Sequence, residues 1–344
     1  MITPAPRSGD CDGGGAAGSD AVLSPPKEVA SQANAAILRR VEEKEVQERW
    51  ELQEVLAKRR LSEVLVVKPR CGGELQVLKR VDKKVFAQIN RSSSLSPQSE
   101  LELLASLRHP GIVRLHESFE SESSVFLVME FLPGGDLCQC ICAEGCLPEE
   151  TARRLFRDLC KAVAYLHKEG VVHRDLKPDN VLLTSKERRE MLPKLADFGI
   201  SRACAKSREC RTYCGTRGYC APEVLMVKLR RLMGTASGTG TVPAALWPPE
   251  PDDFSEGYGK PADLWSLGII LYIMLCGVPP FDFSEEKLDL YGTILKGGYE
   301  FDVPAWKDVS QAARLLVERL MTVDPVLRLA AEQALEHEWL RPSN

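Results

Sequence analysis

No run of apolar residues in this 344-residue chain reaches the ~20 needed to cross a bilayer. The longest, Leu264 to Val278, is broken by Ser266, Gly268 and Gly277 and reads as a buried helix. The N-terminus lacks the apolar core of a secretory signal, passing from Met1-Ile2-Thr3-Pro4-Ala5-Pro6 into Gly, Ser and Asp. Neither charge sign is in excess: 45 Lys and Arg against 49 Asp and Glu leave −4, which gives no basic field to hold nucleic acid by its phosphates. The 12 cysteines include no C-x-x-C pair of the kind that binds zinc, and a disulfide scaffold would require a small secreted domain. The expectation is a soluble, reduced, cytoplasmic protein without nucleic-acid or membrane partners. At 44% hydrophobic and 27% charged residues the chain is of ordinary globular composition, and its length allows roughly two compact units.

Residues 1–26, with Gly13-Gly14-Gly15 and Pro25-Pro26, bury too little apolar surface to offset their ordering entropy and read as a disordered arm. Over 27–47 the text changes to helix formers, with Val29, Ala33, Ile37 and Val41 four residues apart. This predicts a charged helix that lies on the next domain or joins a partner helix. Strand-like text follows at Trp50-Glu51-Leu52, Val64–Val67 and Leu75–Leu78, with Cys71-Gly72-Gly73 as a turn. A helix from Pro97 to Leu107 precedes strands near 112–118 and 125–129. After Pro133-Gly134-Gly135 the pattern is mainly helical, near 149–168, 262–276, 310–320 and 331–337. Segregated sheet and helix predict an α+β chain, with the main domain over 48–342 divided at 132/133. A Gly-, Thr- and Pro-rich stretch over 226–256 reads as a surface insertion.

The densest chemistry lies in His173-Arg174-Asp175-Leu176-Lys177-Pro178-Asp179-Asn180, followed by Asp197-Phe198-Gly199 and Ala221-Pro222-Glu223. In that order these resemble the catalytic loop, the metal-binding triplet and the end of the activation segment of eukaryotic protein kinases. The wording is most similar to the calcium/calmodulin-dependent kinase group. The resemblance covers nearly all of 50–342 and implies a bilobal fold, a small β-rich N-lobe and a larger helical C-lobe. It also implies transfer of a phosphoryl group from ATP with Mg2+, or Mn2+ in its place, to a protein substrate.

Phosphoryl transfer is mostly positioning and charge stabilisation. The resemblance gives Asp175 the proton of the attacking hydroxyl, Lys177 the charge on the moving phosphoryl group, and Asn180 and Asp197 the metal. Lysine at 177 resembles the serine/threonine class. Val77-Leu78-Lys79 is similar to the family's phosphate-binding strand, with Glu100 as the partner of Lys79. Met129-Glu130-Phe131-Leu132 resembles the hinge, and Leu56, Val64, Val77 and Leu182 complete the implied nucleotide-binding set. Asp263 resembles the brace beneath the catalytic loop, and Arg328 the partner of Glu223.

The lid departs from the pattern. Where three glycines should cover the phosphates, in register with Leu56 and Val64, the text is Ala57-Lys58-Arg59-Arg60-Leu61-Ser62. Glycine admits the backbone close to phosphate and takes positive φ. Each lost backbone hydrogen bond to phosphate costs about 1.5–3 kcal/mol, part of which Arg59 or Arg60 could return by direct charge contact. The expectation is weaker nucleotide binding, with a catalytically silent scaffold as the alternative.

Arg174 beside Asp175 implies control by activation-segment phosphorylation and an upstream activating kinase. Ser201, Ser207, Thr212, Tyr213 and Thr216 are candidates; Thr212 is positioned as the switch, and Thr216 as the threonine that bonds Asp175 and Lys177. Asp136 and Asp179 fall where basophilic kinases receive a substrate arginine, although Asp136 also suits a helix cap. No Asp-x-Asp-x-Asp-Gly loop is present, and nothing after the last helix reads as an autoinhibitory tail, so calcium control is not expected. Of the two cysteine clusters, 138/140/142/146 and 204/210/214/220, the second suggests thiol redox sensitivity near Cys214.

Overall fold

Strand text rich in Val and Leu after Trp50 folds into one antiparallel sheet. The computed structural model describes residues 39–89, 96–204, 210, 212–234 and 257–341, and these divide into two units: 39–133 with 197–199, and 134–196 with 200–341. The arm predicted over 1–26 lies outside the described residues.

In the first unit, β1 (Arg39–Arg40), β2 (Trp50–Lys58), β3 (Ser62–Pro69), β4 (Gln76–Asp82), β5 (Leu115–Glu120) and β6 (Ser124–Glu130) form a six-stranded sheet in the order β1-β5-β6-β4-β3-β2. All neighbours are antiparallel except β1, which pairs parallel with β5 through Arg39–Phe119 and Arg40–Glu120. Pairing fixes which side chains share a face. Val64 opposes Lys79, and Val77 opposes Met129, so these four residues of the implied nucleotide set lie on one face.

The helix predicted over 27–47 is corrected where it is described. Val41 N donates to Glu120 O at 3.0 Å, so residues 39–41 run extended along β5, and helix is confined to Glu43–Arg49. Glu43 explains why that helix stays in place. Its carboxylate accepts from Ser121, Ser123 and Ser124 and from Arg80. Val46 and Trp50 then enter the core with Val67, Leu78, Phe119, Phe126 and Val128. Arg49 stacks 4.4 Å over the Trp50 ring and pairs with Glu117 at 3.0 Å.

The second unit is built on two helices, Glu149–Lys168 and Pro261–Cys276. The first buries Ala152, Leu155, Phe156, Leu159, Cys160, Ala162, Val163 and Leu166, a stripe at helical spacing. The second is buried along its whole length, the fate of a helix that is apolar all round. Gly268 is required there: a Cβ would stand 2.6 Å from Met321 Cγ. Among the described residues no helix is long and apolar enough to cross a membrane.

Of the insertion predicted over 226–256, residues 226–234 continue the helix Pro222–Gly234, and 235–256 lie outside the described residues. At the foot of that helix Glu223 takes Arg328 in a two-pronged bond of 2.7 and 3.0 Å, with side-chain exposures of 4% and 0%. Carbonyls of Pro261, Thr322 and Val323 accept the remaining Arg328 donors. Glu223→Ala leaves that guanidinium buried without a counter-charge and is expected to cost about 3–5 kcal/mol. Urea denaturation should show a lower midpoint at unchanged slope; an unmoved midpoint contradicts the assignment.

Candidate functional site

The catalytic-loop side chains are held from two directions. Asp263, 1% exposed, accepts from the backbone amides of His173 and Arg174, both at 2.9 Å, and lies 2.9 Å from His167 Nε2. Burial raises the Asp263 pKa, but the His167 hydrogen bond and charge and the Arg174 amide outweigh it, and the net direction is below 3.8. Arg174 has φ +70°, and Asp197 has φ +60°; among the described residues they are the two non-glycine positions with positive φ. Strain of about 1–3 kcal/mol at such positions persists only where surrounding bonds impose it, and the Asp263–Arg174 bond does so for the loop.

Asp263→Asn is therefore expected to lose about 1–3 kcal/mol at pH 7. A carboxylate with a depressed folded pKa contributes stability above its unfolded value and loses it as pH falls through the folded one. The gap between wild type and variant, followed by denaturant titration at several pH values, should thus be full at pH 7 and narrow below 3.8. A gap that widens towards acid contradicts this.

From the other side, Asp175 Oδ1 accepts from Thr216 N at 2.9 Å and Thr216 Oγ1 at 2.7 Å. Asn180 Nδ2 donates to Asp175 Oδ2 at 3.0 Å and to Asp175 O at 2.7 Å, while Lys177 Nζ bonds Thr216 Oγ1 at 2.7 Å. Asp175, Lys177, Asn180 and Thr216 are thus one network, in which the Asp175 rotamer has almost no freedom. Because Asn180 spends its amide nitrogen on Asp175, its oxygen is the end left for a ligand.

The cationic group lies in the sheet unit. Lys79 Nζ donates to Glu100 Oε1 at 2.6 Å and to Asp197 Oδ1 at 2.9 Å. Glu100 sits in the first turn of helix Pro97–Ser106, capped by the Ser96 hydroxyl on Ser99 N. Burial opposes the Lys79 charge, yet Asp197 and Glu100 more than offset it, and the pKa is raised. Glu100 is also pushed up, first by burial, against the pull of Lys79 and with the repulsion of Asp197. One cation serves two carboxylates. The Asp197 side chain is 36% exposed, against 7% for Glu100, so Asp197 is the carboxylate within reach of a solvent-borne ion. A carboxylate oxygen such as that of Asp197 suits a hard divalent cation. Among the described residues no group of three or more His, Cys, Asp or Glu side chains could hold a metal by itself.

The remaining expected residues fall as follows. Leu56 is 49% exposed at an irregularity of β2, and Val77 is buried. Glu130 N donates to Arg114 O, so its amide is already engaged. Leu182 lies in the short strand Val181–Leu183 and bridges to Asp136. Asp136 caps helix Leu137–Glu144 through Gln139 N at 2.7 Å; burial raises its pKa, with the Asp179 charge adding to the rise. Ser201 is corrected as a modification candidate: it is buried, and its hydroxyl donates to His173 O at 3.0 Å. Ser207 lies outside the described residues. Arg174 is buried, its Nε donates to Ile200 O, and its Nη1 has no hydrogen-bond partner among the described residues.

The lid is a hairpin closed on itself. Arg59 N donates to Ser62 O at 2.8 Å, Lys58 pairs with Glu63 at 2.7 Å, and Leu61 O accepts from Asp82 N at 3.0 Å. No residue over 57–62 has positive φ, so this turn does not need glycine.

The Asp175 network of one unit and the Lys79 pairing of the other each suit a phosphotransfer domain, and comparison gives the family: residues 50–340 match the protein kinase domain, and the chain belongs to that family. It is a protein serine/threonine kinase by its relatives. It is 36% identical over 296 residues to calcium/calmodulin-dependent protein kinase type 1 of Caenorhabditis briggsae, covering 86% of this chain and 73% of that protein. To the serine/threonine-protein kinase DCLK3 of Homo sapiens it is 40% identical over 243 residues, 70% of this chain and 33% of that protein. To the probable serine/threonine-protein kinase fhkC of Dictyostelium discoideum it is 35% identical over 293 residues, 85% of this chain and 44% of that protein.

Proposed function

We propose that the chain transfers the γ-phosphate of ATP to serine or threonine hydroxyls in proteins carrying arginine upstream of the target. The observation that supports this best is the locked Asp175 carboxylate, bonded by Thr216 and Asn180 and set to orient a substrate hydroxyl and take up its proton. Lys177 balances charge on the moving phosphoryl group, and Lys79 steadies the nucleotide phosphates. By the family's motifs, Asp197 and Asn180 would hold a divalent cation, which would neutralise phosphate charge. Affinity for ATP is lower than a glycine lid would give, because the Arg59 amide is committed to Ser62 O; the exposed guanidiniums of Arg59 and Arg60 supply compensating charge. Thr212, phosphorylated by an upstream kinase, brings acceptor oxygens to the segment whose Cys214 lines a small cavity with Arg174.

Label transfer from ATP to paired peptides, with and without the upstream arginine, tests the reading. The double variant Asp136→Asn, Asp179→Asn should raise KM for the arginine peptide about ten-fold, the equivalent of ~1.4 kcal/mol, and leave kcat unchanged. Asparagine keeps the helix cap at 136. An unchanged KM removes these two carboxylates from substrate recognition. Nucleotide binding without any transfer favours the scaffold reading.

A further inference from the structure

We infer that Cys204 and Cys210 are an oxidisable dithiol that closes to a disulfide within the activation segment. Both thiols are buried, at 1% and 0% exposure, and their sulfurs lie 2.8 Å apart. A disulfide bond is ~2.05 Å long, so less than an ångström separates contact from bonding.

The approach is set by backbone rather than by two mobile side chains. Cys204 follows strand Arg202–Ala203, which pairs with Val171–Val172, and its amide donates to Gly170 O. Cys210 exchanges two backbone hydrogen bonds with Tyr258, of 3.1 and 2.9 Å. Each sulfur is therefore delivered by its own paired segment, and the two meet. The other two thiols of this cluster are turned elsewhere: the Cys214 sulfur lies 3.1 Å from Tyr258 Oη, and the Cys220 thiol donates to the carbonyls of Cys214 and Thr216. Redox chemistry thus centres on 204 and 210 rather than on Cys214.

The surroundings favour a pair. The Cys210 thiol is pushed up by its hydrogen bond with Cys204 and by burial, while the guanidinium of Arg174 pulls the other way. The resting state is the protonated, mutually hydrogen-bonded dithiol. When local opening admits an oxidant, Arg174 is the cation that favours the first thiolate. With a peroxide as oxidant, that thiolate attacks one oxygen, the O–O bond breaks, and water leaves a sulfenic acid. The second sulfur then attacks the first, expelling the hydroxyl as a second water, and the S–S bond forms. Two thiols are oxidised, one peroxide is reduced, and both thiol protons end in water. A dithiol reductant reverses the step by exchange.

The test uses the reduced full-length chain and does not depend on kinase activity. The protein is treated with hydrogen peroxide, remaining thiols are alkylated, and the unreduced tryptic digest is read by mass spectrometry. Cleavage after Arg202, Lys206, Arg208 and Arg211 separates Cys204 from Cys210, so the disulfide appears as two linked peptides, lighter by two hydrogens than their reduced sum. The expected result is that this pair is the main cross-link, survives in Cys214→Ala and disappears with dithiothreitol. Linkage of either residue to Cys214, conversion of either to a sulfonic acid, or recovery of both as alkylated thiols after Cys214 has been oxidised overturns the inference.

Discussion

Asp175→Asn should lower the rate of phosphoryl transfer by about 10²–10⁴-fold, the range over which a positioned general base contributes. The fold should survive the change. Asparagine keeps an oxygen where Thr216 N and Oγ1 both donate to Asp175 Oδ1, and it introduces no volume. What it loses is the charge and the acceptor at Oδ2, now shared by Asn180 at 3.0 Å and Lys177 at 3.3 Å. Nucleotide affinity, read by calorimetry, should be little altered, because Lys79, the residue proposed to steady the nucleotide phosphates, takes no part in these contacts. A variant with wild-type turnover would deny Asp175 its role; one with lost binding as well would show that the carboxylate holds the loop rather than the hydroxyl.

Lys79→Met has the second large effect, and it acts on two observables. Removing the cation proposed to steady phosphate should cost about 10²–10³-fold in kcat, as for the loss of one preorganised donor. It also leaves Glu100 buried beside Asp197 with no cation between them. Glu100 already has a raised pKa. An acid with a raised folded pKa gives stability that is present below its unfolded value, here 4.5, and lost as pH rises through the folded one. Without Lys79 that rise is larger, so the melting temperature of the variant relative to wild type should be closest near pH 5 and fall further behind towards pH 8. Equal deficits at the two values contradict the triad.

Much of the site was legible because its chemistry is local in sequence. Eight consecutive residues from His173 carry the loop, and Asp197 and Glu223 follow in fixed order, so Asp175, Asn180 and Thr216 could be placed before any distance was known. Lys79 and Glu100 were placed by their register with neighbouring motifs. Their sharing of one ammonium with Asp197 was not legible, since that bond joins residues 118 apart. The burial of Arg174 was likewise hidden, because its surroundings come from 200, 210, 214 and 258. In the sheet unit short strand-like runs pointed to five strands, but not to β1. Two arginines carry no strand signal, and only pairing with Phe119 and Glu120 makes them one. The lid shows the reverse. Its missing glycines predicted weaker phosphate contact, and the hairpin supplies a reason the letters could not: a turn without positive φ whose first amide is already spent.

The central claim is that the Asp175 network and the Lys79 triad transfer phosphate despite that lid. It is tested most directly by counting label moved from γ-labelled ATP to a serine peptide by the reduced full-length chain, with Mg2+, beside Asp197→Asn. The account predicts steady transfer by the wild type and a loss of about 10²-fold or more in the variant. Equal counts from the two proteins, or none from the wild type at saturating ATP, would contradict it.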